Sequence, residues 1–361
     1  MSDRLFAATR KGLFDLRRKD GGWSIERTSF LGQPITTMLR DARDATLYAV
    51  LDLGHFGVKL HRSEDEGKTW EEIATPSYEG VPPSADGKPA PSLKLLWVLE
   101  PGAKDQPGVL WAGTIPGGLF KSTDRGASWS LIESLWKTPE RAQWMGGGYD
   151  EPGIHSICLD PRSPHHLAVA VSTGGVWQTF DGGETWAVAG KGLRAAYVPP
   201  EQAYNPVMQD VHRLVACPEA PDCYWVQHHN GVFRSVDGLK SWTELTVPPS
   251  SFGFAVAVHP TKADTAWFVP AVKDEFRYPV DGKFLVARTR DGGKSFETLT
   301  NGLPQEQAYD LVYRHGLVVD ETGDRLAMGS TTGSLWTSDT GGDDWQLVSA
   351  HLPPIYTLKF A

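Results

Sequence analysis

A short string returns six times along this chain, once every 48 to 59 residues, and nothing else in the sequence restricts the fold as much. It reads Ser63-Glu-Asp65-Glu-Gly67-Lys-Thr69-Trp70 and then Ser122-Thr-Asp124-Arg-Gly126-Ala-Ser128-Trp129. Looser copies surround Asp181 and Trp186, Asp237 and Trp242, Asp291 and Phe296, and Asp339 and Trp345. The Asp181 copy has Thr179 for Ser, the Asp237 copy has Leu239 for Gly, and the last copy reads as carrying one extra residue, Gly342. Self-similarity at such a period marks an array of one supersecondary unit that buries its apolar faces only by stacking on its neighbours.

The string has the chemistry of a stapled hairpin turn. Its Asp folds a carboxylate back onto turn N–H groups, the Gly takes the φ > 0 position, and the hydroxyl adds a local bond. The Trp is expected to pack beneath the turn. One carboxylate per turn carries too little charge for calcium, which takes six to eight oxygens.

Between the strings an apolar strand recurs that often ends in an acid and a proline. The copies are Leu95–Glu100, Ile154–Asp160, Val211–Cys217 and Phe254–His259, with looser ones at Ile35–Asp41 and His315–Asp320. Each precedes a second strand, a third leads into the string and a fourth leaves it. Four strands per unit around an axis predict an all-β propeller. The N-terminal segment supplies strands two to four of a further blade around the decayed turn Asp20-Gly-Gly-Trp23. The innermost strand of that blade would be Ile355–Ala361. The count is then seven blades in one domain spanning residues 1–361, closed by the two termini.

The string resembles the Asp-box, or BNR repeat, of sialidases, sortilin-type receptors and photosystem II assembly factors. That resemblance implies a propeller of the sialidase-like superfamily, glycosyl hydrolase-like in its enzymatic branches. It does not carry sialidase chemistry. Sialidases show a Phe/Tyr-Arg-Ile-Pro segment before the first box, and the only similar string here, Phe276-Arg277-Tyr278-Pro279, falls in a late insertion. No aligned set of arginines appears in the inner strands, although Arg277 could still face a pocket.

Composition excludes other classes. A net charge of −9 and pI near 5.7 argue against nucleic-acid or anionic-membrane partners, which need clustered Lys and Arg. No stretch approaches a transmembrane span. Three cysteines, Cys158, Cys217 and Cys223, and no signal-peptide core are expected of a cytoplasmic protein with reduced thiols. Cys217 and Cys223 flank a short turn and could pair if oxidised. No phosphate loop, nucleophile elbow or zinc-protease motif occurs.

The functional face follows from loop lengths. Connections on the face of the repeated string are short, whereas the opposite face carries Pro76–Ser92, Trp136–Gly153, Leu193–Gln209 and Pro270–Lys283. Ordered extra chain on one face of a rigid scaffold is where binding and catalysis concentrate. Five residues before each strand-ending position stand Thr36, Leu95, His155, His212, Phe254, His315 and, in the closing strand, Tyr356. This register lies at the loop-rich end beside the channel.

Three readings of that ring compete. His155, His212 and His315 could hold a divalent metal on the channel axis. They could be acids, bases or hydrogen-bonding groups in a pocket without metal. They could also fill the channel and bond only to backbone or water. The reading carried forward is a hydrolase or lyase acting on a small polar, carbohydrate-derived substrate. His155, His212, His315, Asp150, Glu151 and Asp210 are the candidate catalytic residues. Arg10, His55, Trp144, Tyr204, His228, His229 and Tyr356 are the candidate substrate contacts. The alternative is a non-catalytic scaffold that binds a protein or peptide across the same face.

Overall fold

The computed structural model describes residues 1–83 and 89–361. Part of the long connection Pro76–Ser92, residues 84–88, lies outside the described residues. Seven four-stranded antiparallel sheets stand in a ring. The closing sheet is ordered Ile355–Phe360, Arg4–Thr9, Gly12–Lys19 and Gly22–Ser29. Its first two strands pair through Ala7 opposite Leu358 and Leu5 opposite Phe360. The chain is therefore an all-β, seven-bladed propeller closed by its first and last strands.

Burial along each blade explains the strand sequences. Second strands such as Leu167–Val171 are buried at every residue, because both faces of the sheet pack against a neighbouring blade. They accordingly read as continuous apolar runs. Outer strands such as Glu71–Ile73 are short, polar and mostly exposed. One apolar cluster joins Val98, Trp111 and Leu119 of the third blade to Ile154, Leu167 and Val169 of the fourth, and clusters of this kind fill the interfaces between blades.

The repeated turn is built as its chemistry requires. Ser63 Oγ donates to Asp65 Oδ1 at 2.8 Å and accepts from Gly67 N at 2.8 Å, while Thr69 N and Oγ1 donate to the same carboxylate at 2.9 and 2.7 Å. These bonds hold the exposed carboxylate down to about 2. The ring of Trp129 lies beneath its own turn and also reaches back to the preceding blade, donating to the Ala74 carbonyl at 2.9 Å. Trp242 does the same to Ala189 at 2.7 Å. Trp129 and Trp242 thus tie their turns to the preceding blade, whereas Trp186 Nε1 donates to Gly183 of its own turn at 3.3 Å.

The last copy carries no extra residue. Gly342 N donates to Ser338 Oγ at 2.9 Å, so Thr340 stands where the other copies have Asp. Asp344 occupies the hydroxyl position, with its backbone N donating to Thr340 Oγ1 at 2.9 Å. Acid and hydroxyl have exchanged places, and Asp339 instead pairs with Arg18 and Arg325. At the decayed seventh turn, Asp20 (φ 52°) and Gly21 (φ 82°) make a two-residue hairpin of the kind that needs positive φ at both positions.

The strand-ending acid also has a local cause. Asp41, Asp160 and Asp320 each accept, through Oδ1, the backbone N–H two residues on, at 3.0, 2.8 and 3.1 Å. His259 Nδ1 accepts the corresponding bond from Thr261 at 3.1 Å. The acid therefore shapes the turn between strands one and two. The three cysteines are free thiols, and no helix among the described residues is long and apolar enough to cross a membrane.

Candidate active site at the channel mouth

The inner strands share an irregularity at their loop-rich ends. Pairing with the second strand slips past Thr36, His155, His212, Phe254 and Tyr356, and in the third blade past Trp97. A bulge of this kind leaves a residue unpaired and re-aims its side chain. In five of the seven blades the ring position itself is released from the ladder where the channel opens.

A cavity of about 830 Å³ occupies that mouth. Six of the seven ring residues line it, namely Thr36, Leu95, His212, Phe254, His315 and Tyr356. Loops supply the rest of the wall: Gly32–Pro34, Asp52–Gly54 and Phe56, Gly147–Tyr149, and Asp274 and Arg277. Of the long connections, Trp136–Gly153 and Pro270–Lys283 reach the cavity, whereas Leu193–Gln209 contributes no lining residue.

The three histidines do not converge on one point. His155 is fully buried behind Trp97, with Nε2 2.7 Å from the Val211 carbonyl and Nδ1 2.9 Å from Ser156 Oγ. Both its nitrogens are spent on the protein. His315 Nε2 bonds to the His155 carbonyl at 2.9 Å. Burial drives both imidazoles well below their ordinary value, so they are neutral.

His212 belongs to a different group. Its Nδ1 donates to the Gly253 carbonyl at 2.6 Å, which fixes the tautomer and leaves Nε2 as a lone pair 3.8 Å from Asp210 Oδ2. His229 Nδ1 approaches the same oxygen at 3.2 Å. Burial would raise Asp210, yet hydrogen bonding and charge, from His212 when that imidazole carries a second proton and from His229, hold it well below the carboxylate range. Burial lowers His212. It also works against charge on His229, but the Asp210 carboxylate outweighs it and raises that imidazole. One carboxylate thus separates a neutral imidazole from one that favours its proton.

Asp210, His212 and His229 are also the described residues whose potential ligand atoms, one from each, lie within 4.8 Å of one another. If a divalent metal were bound here, this set and not His155, His212 and His315 would hold it. Arg314, within electrostatic reach of both Asp210 and His212, opposes a second cation beside them.

The other candidates divide clearly. Arg10 and Tyr356 line the cavity. Asp150 and Glu151 border a separate space of about 130 Å³, where Glu151 pairs with Lys94 at 2.7 Å. His55 is exposed and packs on Phe56, and Tyr204 is 64% exposed outside the cavity. Trp144 is buried edge-on against Trp177, and His228 is buried against Phe233 and lowered to about 3 by its burial. Tyr149, a long-loop aromatic of the kind that stacks on sugar rings, lines the cavity, as do Trp97, Asp52, Asp274, Tyr313 and Arg314, which do not stand out in sequence. Trp97 sits two residues past the ring position, and Arg314 directly precedes a ring histidine.

No family model matches the chain. It is 26% identical over 212 residues to a xyloglucanase of a Paenibacillus species, a match covering 53% of this chain and 18% of that one. The chain thus spans about a fifth of the curated relative's length. The structure of a GH74 xyloglucanase from Xanthomonas campestris superposes with a TM-score of 0.64 at 18% identity, over 97% of this chain and 53% of that one. A structure of YCF48 bound to D1 peptide gives 0.53 at 17% identity, over 87% and 80%. At these identities the structural likenesses speak for the propeller fold.

Proposed function

We propose that this propeller is a sialidase-like superfamily enzyme, a hydrolase or lyase that cleaves a small carbohydrate-derived substrate in the channel-mouth cavity. The observation that carries the reading is the Asp210 carboxylate, flanked by two imidazoles whose proton affinities are pushed apart. Such a split is how one site supplies an acid and a base at the same pH. His212, neutral with Nε2 open, takes a proton from the substrate or from water. His229, protonated beside Asp210, returns one to the departing oxygen. Asp210 orients both and balances the charge. Trp97, Tyr149 and Tyr313 give the mixed apolar and polar wall on which sugar rings stack. The xyloglucanase match supports a carbohydrate substrate.

A second reading, a scaffold gripping a peptide across this face, is favoured by the exposed aromatics Phe56, Tyr149 and Phe276 around the mouth. Release of new reducing ends from a panel of neutral and acidic oligosaccharides separates the two, because hydrolysis and elimination both generate them. Asp210→Asn should lower such turnover by about 100-fold or more. Absence of turnover on every member of the panel, or full turnover by the variant, removes the enzymatic reading.

A further inference from the structure

Arg314 is the most unusual group in the cavity. It is 8% exposed, yet among the described residues its guanidinium has no ion-pair partner, and its Nε has no hydrogen-bond partner. Two aromatic faces hold it, Trp97 with the centroid at 4.8 Å and Phe254 at 5.5 Å. These rings come from the third and sixth blades, so the guanidinium reaches across the channel mouth. Aromatic faces attract a cation but do not neutralise it. Its favourable neighbour, Asp210, is already engaged by His229 at 3.2 Å. A buried cation without a counter-charge is costly and is normally paired.

The other charges around the cavity do not resolve the excess. Arg277 binds Asp274 at 2.5 Å, and Asp210 is matched by His229 while that imidazole holds its proton, which the pairing favours. With His229 charged, Arg10 and Arg314 stand against Asp52 alone, one positive charge over. A planar guanidinium presents a fork that fits the two oxygens of a carboxylate or phosphate group, which an ammonium does not.

We infer that the cavity takes a sugar bearing one anionic group, and that Arg314, held against Trp97 and Phe254, anchors that group. The inference rests on the carbohydrate reading above and sharpens it to acidic sugars. Arg314 acts as the specificity residue, and the His212, Asp210 and His229 group faces the rest of the ligand from the same wall.

Calorimetric titration of the full chain tests this with galacturonate and its dimer, the corresponding neutral galactosides, galactose 6-phosphate and inorganic phosphate. An acidic sugar should bind at least about 10-fold more tightly than its neutral counterpart, and Arg314→Met should abolish that preference. Preference for the uronate identifies the anion as carboxylate, and preference for the sugar phosphate identifies it as phosphate. Either supports the assignment. The wild-type comparison needs no variant, and Arg314→Lys, which keeps charge without the fork, tests the anchor if Arg314→Met does not fold. Equal binding of acidic and neutral sugars, or a preference that survives both substitutions, overturns the anionic specificity and leaves the sugar site standing. Binding of inorganic phosphate with no sugar bound, or no binding at all, overturns both.

Discussion

The imidazole of His212 lies parallel to the phenyl ring of Phe254, with centroids 4.4 Å apart and planes 13° apart. The two occupy the same register position in neighbouring blades, and each is freed from its strand ladder by a bulge. Phe254 then carries the contact onward, edge-on to Tyr313 at 5.1 Å and beneath Arg314. A continuous wall of rings therefore links the proton-handling group to the orphan cation.

Phe254 should consequently matter for both stability and ligand. Phe254→Ala removes a side chain that is 3% exposed and should destabilise the fold by about 3–5 kcal/mol in urea titration. Phe254→Leu should recover most of that stability but not the stack under His212. A Leu variant with wild-type ligand affinity would argue that the wall is merely filler.

The Asp210–His229 pair predicts a pH signature with a definite sign. Asp210 is held below its ordinary 3.8, so its contribution is present above that value and fades as pH falls further. His229 is raised above its ordinary 6.5, so its contribution is complete below 6.5 and is lost as pH climbs through the raised value. His229→Gln should therefore cost about 1.5–3 kcal/mol near pH 5–6 and distinctly less near pH 9. His212 and Arg314 also act electrostatically on Asp210, so the comparison is made at fixed ionic strength. An equal loss at both ends of the range would contradict the pairing.

The repeat tryptophans should differ among themselves. Trp242 is 5% exposed and donates to Ala189, so Trp242→Ala should cost about 3–5 kcal/mol. Trp70, Trp129 and Trp186 are only half-buried and should cost less. Denaturation of the four alanine variants ranks them, and a larger loss at Trp186 than at Trp242 would refute the burial argument.

Much of this architecture is visible in the sequence because repetition multiplies weak signals. One Ser-x-Asp-x-Gly turn means little, but six in series set the blade count, and the strand-ending acid set the register that led to Thr36, His212, Phe254, His315 and Tyr356. What the register could not convey was direction. His155 occupies the same position as His212, yet turns into the interface because Ser156 and the Val211 carbonyl satisfy its ring. Arg314 was invisible for a related reason: its meaning lies in having no partner, and absence of a partner is a property of three-dimensional neighbours. The exchange of Thr340 and Asp344 shows the same limit at smaller scale. Sequence matching located an aspartate, whereas the hydrogen bonds locate the acceptor role.

The closing blade makes the last prediction. Ile355–Phe360 is the innermost strand of a sheet whose other strands come from the opposite end of the chain, and Ile355 and Leu358 lie in an apolar cluster with Leu5, Ala7 and Leu335. Removing residues Ile355–Ala361 would strip a pairing partner from Arg4–Thr9, open the ring between the seventh and closing blades, and delete Tyr356 from the cavity. An unpaired apolar edge recruits other chains. The truncated protein should aggregate or lose cooperative unfolding, as judged by size-exclusion chromatography and calorimetry. Adding the missing strand as a separate peptide should partly restore a soluble species, since the edge it left is specific in register. A soluble, cooperatively unfolding truncation would mean that six blades suffice and that closure by the termini is dispensable.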